Sequence, residues 1–346
     1  MTVVDRLQRT GIRRLGTSRS GFRFVSKGRG RLSRAEHARC TQLKLPPAWG
    51  QVAISPSPVS RVQAVGRDAA GRWQYVYHPA HVRRREESKF ERMLEFGRAL
   101  PRLRRAVAAD LREPGLGKST VLACVVRILA GCFLRPGSEE YADANGTFGL
   151  ATLRREHVTV RGNVVLFSFK GKAGKLQECE LRDARVARIV ARLLELPGRQ
   201  VFKFDAEGEV VKLRRAHINQ YLKEVMGRRF SAKDFRTWAG TLICACALSK
   251  AGALDGEGVT ARRRKVAAAV RETASHLGNT PAVCRSSYIS PAVVESFQQG
   301  QVIEARIACV EQVMAPGDVP SLRRCERALL ELLGRMAPAR STRRAA

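Results

Sequence analysis

The chain has 346 residues, of which 44% are hydrophobic, and this length and composition predict a globular protein with two domains and a sizeable core. Lys and Arg number 63 against 31 Asp and Glu, a formal net charge of +32, so the expected partner is a polyanion: nucleic acid or, as the rival, an acidic membrane surface. With no apolar run of about 18 residues and no apolar signal segment at the N-terminus, we expect a soluble, intracellular protein without a membrane partner.

The cysteines and histidines give no sign of a metal site. The nine cysteines contain no CxxC pair, and the six histidines form no cluster with ligand spacing. Cys244 and Cys246 lie in an apolar run, which is typical of small buried side chains in a reducing compartment. We therefore expect neither a metal nor a cofactor.

Residues 1–83 are predicted to form a small, basic, β-rich domain. Four short stretches alternate or cluster apolar residues as strands do: Gly21–Val25, Val52–Ile54, Val62–Val65 and Trp73–Tyr77. Tyr75 and Tyr77 share one face of the last strand. That face could pack into the core or contact nucleic acid, and the sequence favours neither.

Beyond this domain the pattern becomes helical. Arg83–Arg85 is predicted to be a linker, which places the domain boundary at 83/84. Apolar residues at i, i+3 and i+4 predict a helix that ends at Leu100. Pro101 is expected to open a second helix, which runs to about Leu111.

The stretch Pro114–Thr120 looks like a phosphate-binding loop with the GK[ST] ending. The pattern requires an earlier glycine where this chain has Arg112, and a helix rather than a strand leads into it. We therefore expect no nucleotide site. The stretch is interpreted as a helix start, in which Ser119 or Thr120 caps the apolar helix Val121–Leu134.

Between His157 and Leu181, alternating apolar residues and two glycine-containing turns predict a three-stranded β meander. Lys172 stands at the tip of the second turn. A lysine in that position is ordinarily solvated surface.

Three further cations are placed where they could bind an anion. Ser231 and Asp234 form a capping box, which puts Lys233 and Arg236 on the first turns of a helix. Positive side chains there oppose the helix dipole, and a bound anion would remove the mismatch. Arg135 follows an apolar helix in a Pro-Gly bend, where its guanidinium could bind nearby carbonyls or a phosphate.

The stretch 276–291, HLGNTPAVCRSSYISP, follows a predicted helix over Ala261–Ser275. Gly278 stands where a helix C-terminal glycine belongs, and Asn279 begins a turn. Tyr288 then ends a short segment, and its phenol could either pack or attack a phosphodiester. The remaining predicted segments are a helix at Val293–Val313, a helix at Ser321–Met336 and a basic, disordered tail at 337–346.

Taken together, these cations and the tyrosine suggest a phosphoryl-transfer site without metal carboxylates. In this respect the chain resembles the type IB DNA topoisomerases, specifically the compact poxvirus-like group that is found also in bacteria. The resemblance covers nearly the whole chain and rests on the following motifs: LPPAW (45–49), QYVYH (74–78), KFERMLEFGRALP (89–101), LRPG (134–137), GLATLRREHV (149–158), FKGKAGK (169–175), KDFRTWAGT (233–241) and LGNTP with SYI (277–289).

The resemblance implies an α+β fold that forms a two-lobed DNA clamp. The small β-sheet-rich N-terminal domain would precede a larger, mainly α-helical catalytic domain at 84–336, which contains the three-stranded β meander. It also implies a monomer that clamps around duplex DNA, is cytoplasmic and nucleoid-associated, and requires no ATP.

The resemblance further implies residue roles. Tyr288 would attack the scissile phosphodiester and become joined to the 3′ phosphate, while Arg135 and Arg236 stabilise the charge of the transition state. Lys172 would protonate the leaving 5′ oxygen with Lys233 as helper, and nearby cations should lower the pKa of such a lysine. Four residues match positions that contact DNA in relatives: Gln74, Tyr75, Tyr77 and Tyr141.

Two residues depart from the family pattern. Asn279 occupies the position of the usual catalytic histidine, and its amide can donate a hydrogen bond to a phosphate oxygen but cannot supply a proton. Ser138 replaces a lysine that helps target-site choice in viral relatives. We therefore expect no tight sequence preference of the viral kind.

Two other classes of protein stay open. Tyrosine recombinases or integrases use a similar set of cations and tyrosine on a related fold, but they carry a histidine where this chain has Lys233, and their N-terminal domain is helical. A non-catalytic DNA-compacting protein would explain the charge and leave the order of the motifs unexplained.

Overall fold

The computed structural model describes residues 1–26, 31–252, 256, 258–305 and 320–336. The chain divides into two compact units, Met1–Lys89 and Phe90–Ala346, and each combines helices with antiparallel strands. The predicted disordered tail at 337–346 lies outside the described residues. Within those residues, none of the helices has the length and apolarity that a membrane span requires.

The first unit contains one antiparallel sheet, whose strands are β1 (Ile12–Thr17), β2 (Gly21–Ser26), β3 (Gly50–Ile54), β4 (Val62–Arg67) and β5 (Trp73–Tyr77). Their order in the sheet is β2-β1-β3-β4-β5, and all four predicted strands are present. The unit also has two helices that we did not predict, α1 (Val3–Thr10) and α2 (Arg34–Gln42). Each begins with a capping box, Thr2 with Asp5 and Ser33 with Glu36. Both have the spacing of Ser or Thr and an acidic residue three positions later that can be recognised in the sequence.

The two helices cover opposite faces of this sheet. Val4 and Leu7 of α1 belong to a cluster with Val65, whereas Cys40 of α2 belongs to a cluster with Ile54. Because alternate residues of a strand point to opposite faces, strands β3 and β4 can supply both clusters. Burial on both faces explains why these strands are short apolar runs.

A single helix, α3 (Pro79–Asp110), runs through the residues where we expected a linker and a helix break. Arg83–Arg85, which we predicted as the linker, are therefore helical, and Pro101 lies inside the helix rather than at the start of a second one. An interior proline costs a helix about 3 kcal/mol. Burial of the apolar face from Met93 to Val107 outweighs this cost, since each fully buried large apolar side chain contributes roughly 1.5–3 kcal/mol.

The second unit is mainly helical. Its described helices after α3 are α4 (Lys118–Cys132), α5 (Glu139–Asn145), α6 (Ala184–Glu195), α7 (Arg215–Met226), α8 (Ala232–Ala251), α9 (Val259–His276), α10 (Pro281–Ser287), α11 (Pro291–Gln298) and α12 (Pro320–Met336). Of the 20 residues of α8, 16 are buried, so this helix forms the centre of the unit. Helices α4, α7, α9, α11 and α12 all pack against it.

The predicted three-stranded meander is present as β6 (Val158–Arg161), β7 (Val164–Lys170) and β8 (Leu176–Arg182). The β7–β8 ladder runs from Val164 opposite Arg182 to Lys170 opposite Leu176. Lys172 is therefore at the tip of the β7–β8 hairpin, as predicted. A second, two-stranded sheet joins β9 (Lys203–Ala206) to β10 (Glu209–Lys212).

The start of α4 differs from our prediction. The helix begins directly after Gly117, and neither Ser119 nor Thr120 caps it. The Ser119 hydroxyl donates instead to a carboxylate oxygen of Glu113 at 2.6 Å, and Thr120 is buried. Among the described residues, α3 and a turn precede this loop, so no strand leads into it.

Helix α11 ends earlier than the predicted helix over 293–313. It stops at Gln298, and Gly300 has a φ of +80°, the conformation in which glycine ordinarily terminates a helix. Residues 306–313 of the prediction lie outside the described residues.

The structure pairs two cysteines that the sequence did not connect. Cys132, the last residue of α4, forms a disulfide with Cys179 of β8, 47 residues away. Cys244 and Cys246 are free and buried, as predicted. No local sequence pattern marks two cysteines this far apart as a pair, because only the fold brings α4 and β8 together.

Glu326 of α12 lies buried between α3 and α8. Its carboxylate accepts from both terminal nitrogens of Arg104 at 2.8 Å, and also from Nε1 of Trp238 at 3.2 Å. Trp238 follows Arg236 by two residues on α8. These bonds attach α12 to the helix that carries the predicted phosphate-binding arginine.

We expect Glu326→Ala to destabilise the protein by about 3 kcal/mol, the low end of the cost of breaking a buried pair, because Arg104 is partly exposed. Chemical denaturation followed by circular dichroism measures the change. Glu331→Ala, at an exposed position of the same helix, is the control and should leave the midpoint unchanged. Equal midpoints for the two variants would contradict the prediction.

Candidate active site

The site is built on the turn between α9 and α10, residues Leu277 to Asn279. Gly278 has a φ of +58°, and its N–H donates to the carbonyl of Ser275 at 3.0 Å. The N–H of Asn279 donates to the carbonyl of Ala274 at 2.9 Å. The C-terminal glycine predicted from the sequence is thus the residue that reverses the chain.

Arg236 holds this turn against the end of α4. Its Nη2 donates to the carbonyl of Leu277 at 2.7 Å, and its Nη1 donates to the carbonyl of Phe133 in a short hydrogen bond. Phe133 is the C-terminal cap of α4 and has a left-handed φ of 49°. The arginine is only 3% exposed, so the guanidinium connects two chain segments inside the protein.

Arg135 approaches the same turn from the other side. Its Nη2 donates to Oδ1 of Asn279 at 2.5 Å. Its carbonyl accepts from the N–H of Leu150 at 2.8 Å, and a Cβ added to Gly137 or Gly149 would lie within 3.0 Å of the other glycine's backbone. The LRPG and GLAT motifs therefore correspond to two backbone segments in direct contact, and this contact orients Arg135.

Tyr288 is the C-terminal cap of α10, and α8 fixes its backbone. The hydroxyl of Thr241 donates to the Tyr288 carbonyl at 3.2 Å and accepts from the N–H of Ser290 at 3.2 Å. A Cβ added to Gly240 would lie 2.7 Å from the same carbonyl oxygen. Sequence analysis missed Gly240 and Thr241, although both lie in the KDFRTWAGT motif, because nothing local in the sequence shows what contacts a buried glycine.

The Tyr288 ring lies under the guanidinium of Arg236, with 5.1 Å from Cζ to the ring centroid. Burial raises the pKa of the phenol, but Arg236, Arg135 and Lys233 oppose it, and the pKa of Tyr288 is held below its ordinary value. Burial, followed by repulsion from Arg236, lowers the pKa of Arg135. The site thus favours negative charge on the tyrosine.

Two buried donors at this site have no hydrogen-bond partner among the described residues, Nε of Arg236 and Nδ2 of Asn279. In the same part of the chain, neither Arg236 nor Arg135 forms an ion pair with a carboxylate. Leaving a buried donor without a partner costs about 1–3 kcal/mol. A ligand with several acceptor oxygens and negative charge would satisfy these groups.

The structure therefore brings together Arg135, Arg236, Asn279 and Tyr288. Lys233 is exposed on the first turn of α8, where Asp234 accepts from the N–H and hydroxyl of Ser231 at 2.8 and 2.9 Å. This is the carboxylate half of the predicted capping box, since the Asp234 N–H donates to the Ser231 carbonyl rather than to its hydroxyl. The charge of Lys233 helps to lower the pKa of Tyr288, after the larger effects of burial, which raises it, and of Arg236 and Arg135, which lower it.

Lys172 is exposed at the hairpin tip. Within the described residues its ammonium makes no hydrogen bond or ion pair, so the structure does not join it to the other site residues. The tip is a tight turn in which the N–H of Gly171 donates to the carbonyl of Lys175 at 2.8 Å.

Three of the four predicted DNA-contact residues lie on β5, and the fourth lies on α5. Tyr75 and Tyr77 stack on one face of β5 with ring centroids 6.2 Å apart, and Arg85 lies 5.8 Å from the Tyr77 ring. The amide of Gln74 donates to Asp68 at 2.8 Å. The backbone of Tyr141 belongs to α5, and its side chain lies outside the described part of the chain.

The described residues contain no group of three or more His, Cys, Asp or Glu side chains that could hold a metal ion. His276, three residues before Asn279, is half-buried at the end of α9. The side chains that the structure brings together at the site carry guanidinium, amide and phenol groups.

Comparison with known families gives two matches. The family described as "Eukaryotic DNA topoisomerase I, catalytic core" matches residues 80–312, and the one described as "Bacterial DNA topoisomerase IB, N-terminal domain" matches residues 21–68. Together they cover most of both units.

Curated relatives agree with these matches. "DNA topoisomerase 1B" of Acanthamoeba polyphaga mimivirus is 30% identical over 266 residues, which cover 75% of this chain and 79% of the relative. "DNA topoisomerase 1B" of Vaccinia virus (strain Copenhagen) is 22% identical over 247 residues, which cover 71% of this chain and 76% of the relative.

Among solved structures, a XerH site-specific recombinase bound to a palindromic difH substrate, in a post-cleavage complex, is 15% identical to this chain. The match covers 57% of this chain and 50% of the recombinase, with a TM-score of 0.35. A similarity at this level is below what identifies a shared fold.

Removing the Lys233 charge should raise the pKa of Tyr288, because a nearby cation stabilises the phenolate. The tyrosinate absorbance of Lys233→Ala is titrated with pH, and the same curve for its Tyr288→Phe counterpart is subtracted to isolate this residue. Lys250→Ala, at the far end of α8, is the control and should leave the midpoint in place. An unchanged midpoint in Lys233→Ala would contradict the electrostatic account.

Proposed function

The chain belongs to the type IB DNA topoisomerase family, and on that premise we propose how its site nicks and rejoins one strand of duplex DNA. As an enzyme of this class it is an isomerase that changes DNA topology. In the proposed cycle, Tyr288 attacks the scissile phosphodiester, the broken strand rotates about the intact one, and the strand is then rejoined. No ATP is needed, because the phosphotyrosine keeps the energy of the bond, and the proposed cycle assigns no step to a metal ion.

In the cleavage step, the bond from Oη of Tyr288 to phosphorus forms while the bond from phosphorus to the 5′ oxygen breaks. The phenol gives up its proton to solvent water, and the surrounding cations that lower its pKa favour this loss. The 5′ oxygen leaves as a hydroxyl after it takes a proton from Lys172. Religation reverses the step: the 5′ hydroxyl attacks and the tyrosine leaves.

The observation that carries this proposal is the pair of buried donors without partners, Nε of Arg236 and Nδ2 of Asn279. Both belong to residues that contact the Leu277–Asn279 turn or form part of it, and Arg135 is bonded to the same asparagine. A phosphate presents acceptor oxygens to all three residues. Fixed donors of this kind stabilise the additional charge of the pentacoordinate transition state.

Asn279 supports this role in a particular way. Its Oδ1 accepts from Arg135, so its amide nitrogen is oriented as a donor. We assign it a hydrogen bond to a non-bridging phosphate oxygen, the part of the family histidine's role that an amide can perform. It carries no proton to the reaction.

The finer features of the proposal concern DNA binding and cellular context. A monomer would clamp around the duplex with its β-rich domain, divided at 83/84 from the catalytic domain that ends at 336. Lys233 would assist Lys172, and four further residues would contact DNA: Gln74, Tyr75, Tyr77 and Tyr141. The enzyme would act in the bacterial cytoplasm, on the nucleoid.

The alternatives explain less. A tyrosine recombinase would carry a histidine where this chain has Lys233, and its N-terminal domain would be helical rather than built on a five-stranded sheet. A DNA-compacting protein needs the positive charge but has no use for a cationic pocket around a buried tyrosine.

We expect the protein to relax both positively and negatively supercoiled plasmid in the presence of EDTA and without ATP. Its activity should fall steeply with salt, because the chain of charge +32 binds DNA largely through counterion release. Tyr288→Phe is the matched control, and it should bind DNA equally well and form no covalent adduct on denaturing gels. A requirement for magnesium or ATP, or an adduct with the Phe variant, would overturn the proposal.

Lys172→Ala should slow single-turnover cleavage by about 10²–10⁴-fold, the usual effect of losing a general acid. The defect should largely disappear when the scissile 5′ oxygen is replaced by sulfur, since a thiolate leaves without a proton. Arg236→Ala should remain slow on the sulfur substrate, because its role is to stabilise phosphate charge. Equal rescue of both variants, or of neither, would remove Lys172 from the acid role.

A further inference from the structure

Gln177 contacts the hairpin tip that carries Lys172. It lies on β8 opposite Phe169 and is the half-buried residue nearest the tip on this strand, since residues 172–176 are all exposed. A Cβ added to Gly171 would lie 2.6 Å from Cγ of Gln177. The stem of the Gln177 side chain therefore fills the space where any other residue at position 171 would place its side chain.

The amide end of the same side chain contacts the turn that both arginines hold. A Cβ added to Gly278 would lie 2.8 Å from Nε2 and 2.8 Å from Oε1 of Gln177. Gly278 stands between Leu277, whose carbonyl accepts from Arg236, and Asn279, whose amide oxygen accepts from Arg135. One side chain thus touches the hairpin tip and the centre of the site.

We propose that Gln177 is a positioning residue that sets the place of the Lys172 hairpin relative to the Leu277–Asn279 turn. This inference rests on the proposed function, in which Lys172 donates the proton and the turn holds the phosphate. Gln177 itself touches no reacting atom. It acts through the hairpin.

The contact matters because the structure gives Lys172 little else to hold it. The lysine is exposed, and among the described residues its ammonium has no partner. Misplacement of a catalytic group by about 1 Å can cost about 10²-fold in rate. A contact between the hairpin and the phosphate-binding turn limits such misplacement, and glycines at 171 and 278 allow it to be close.

The test measures single-turnover cleavage at saturating protein, on the ordinary substrate and on the substrate with a 5′ sulfur leaving group. Gln177→Ala should slow the ordinary reaction by about 10- to 100-fold. On the sulfur substrate it should approach the wild-type rate, because proton delivery is no longer needed. Gln177→Met, with an unbranched side chain of similar length, should retain most of the wild-type rate on both substrates.

Two further variants separate positioning from general damage. Glu178→Ala changes the adjacent residue, which points to solvent, and should cleave at the wild-type rate. Gly171→Ala should reproduce the Gln177→Ala defect by displacing the glutamine, since the φ of −91° at this position suits alanine. The double variant Gly171→Ala with Gln177→Ala should be no slower than Gln177→Ala alone, because the overlap is gone.

The outcomes are distinguishable. The inference is overturned if Gln177→Ala cleaves the ordinary substrate as fast as wild type, or if it is equally slow on both substrates. It is also overturned if the double variant is slower than Gln177→Ala by the full factor that Gly171→Ala alone produces. Lys172→Ala is measured in parallel. If sulfur fails to rescue that variant, the proposed acid role is at fault, whereas rescue of Lys172→Ala without rescue of Gln177→Ala rejects the Gln177 inference alone.

Discussion

The hydrogen bonds of the Arg236 guanidinium are the contacts on which the rest of the site depends. They join the carbonyl at the end of α4, that of Phe133, to the carbonyl of Leu277 at the end of α9. Because 16 of the 20 residues of α8 are buried, the arginine that it carries cannot move independently of the core. Arg135 follows the first of these helix ends and Asn279 follows the second, so both take their positions from this one buried cation.

The electrostatics of the site depend on the groups that surround the Arg236 guanidinium. Burying a guanidinium is unfavourable unless its donors are bonded, and here two carbonyls satisfy two of its nitrogens while Nε stays without a partner among the described residues. The acidic residue nearest in sequence, Asp234, is bonded to Ser231 at the start of α8. The positive charge around Arg236 therefore acts on the Tyr288 phenol, whose pKa it lowers.

The proposed catalytic groups fall into two physical classes. Arg236 and Tyr288 are buried and held by backbone contacts, including the close approach of Gly240 to the tyrosine carbonyl. Lys172 is exposed on a hairpin, where exposed groups sample many conformations. The proposed function combines a buried phosphate site with an acid on an exposed hairpin, and the Gln177 side chain touches both segments.

The sequence by itself determined many of the local elements, the family and most of the candidate residues. The start of α8, the meander and the turn at Gly278 depend on residues only a few positions apart. Patterns of this kind can be recognised from the sequence alone. Only the tertiary structure decided that α3 continues through Pro101, that Cys132 meets Cys179, and that Gln177 lies over Gly278. The physical reason is the same in each case: burial and close contact between segments far apart in the chain outweigh local preference, and no local pattern records which segments meet.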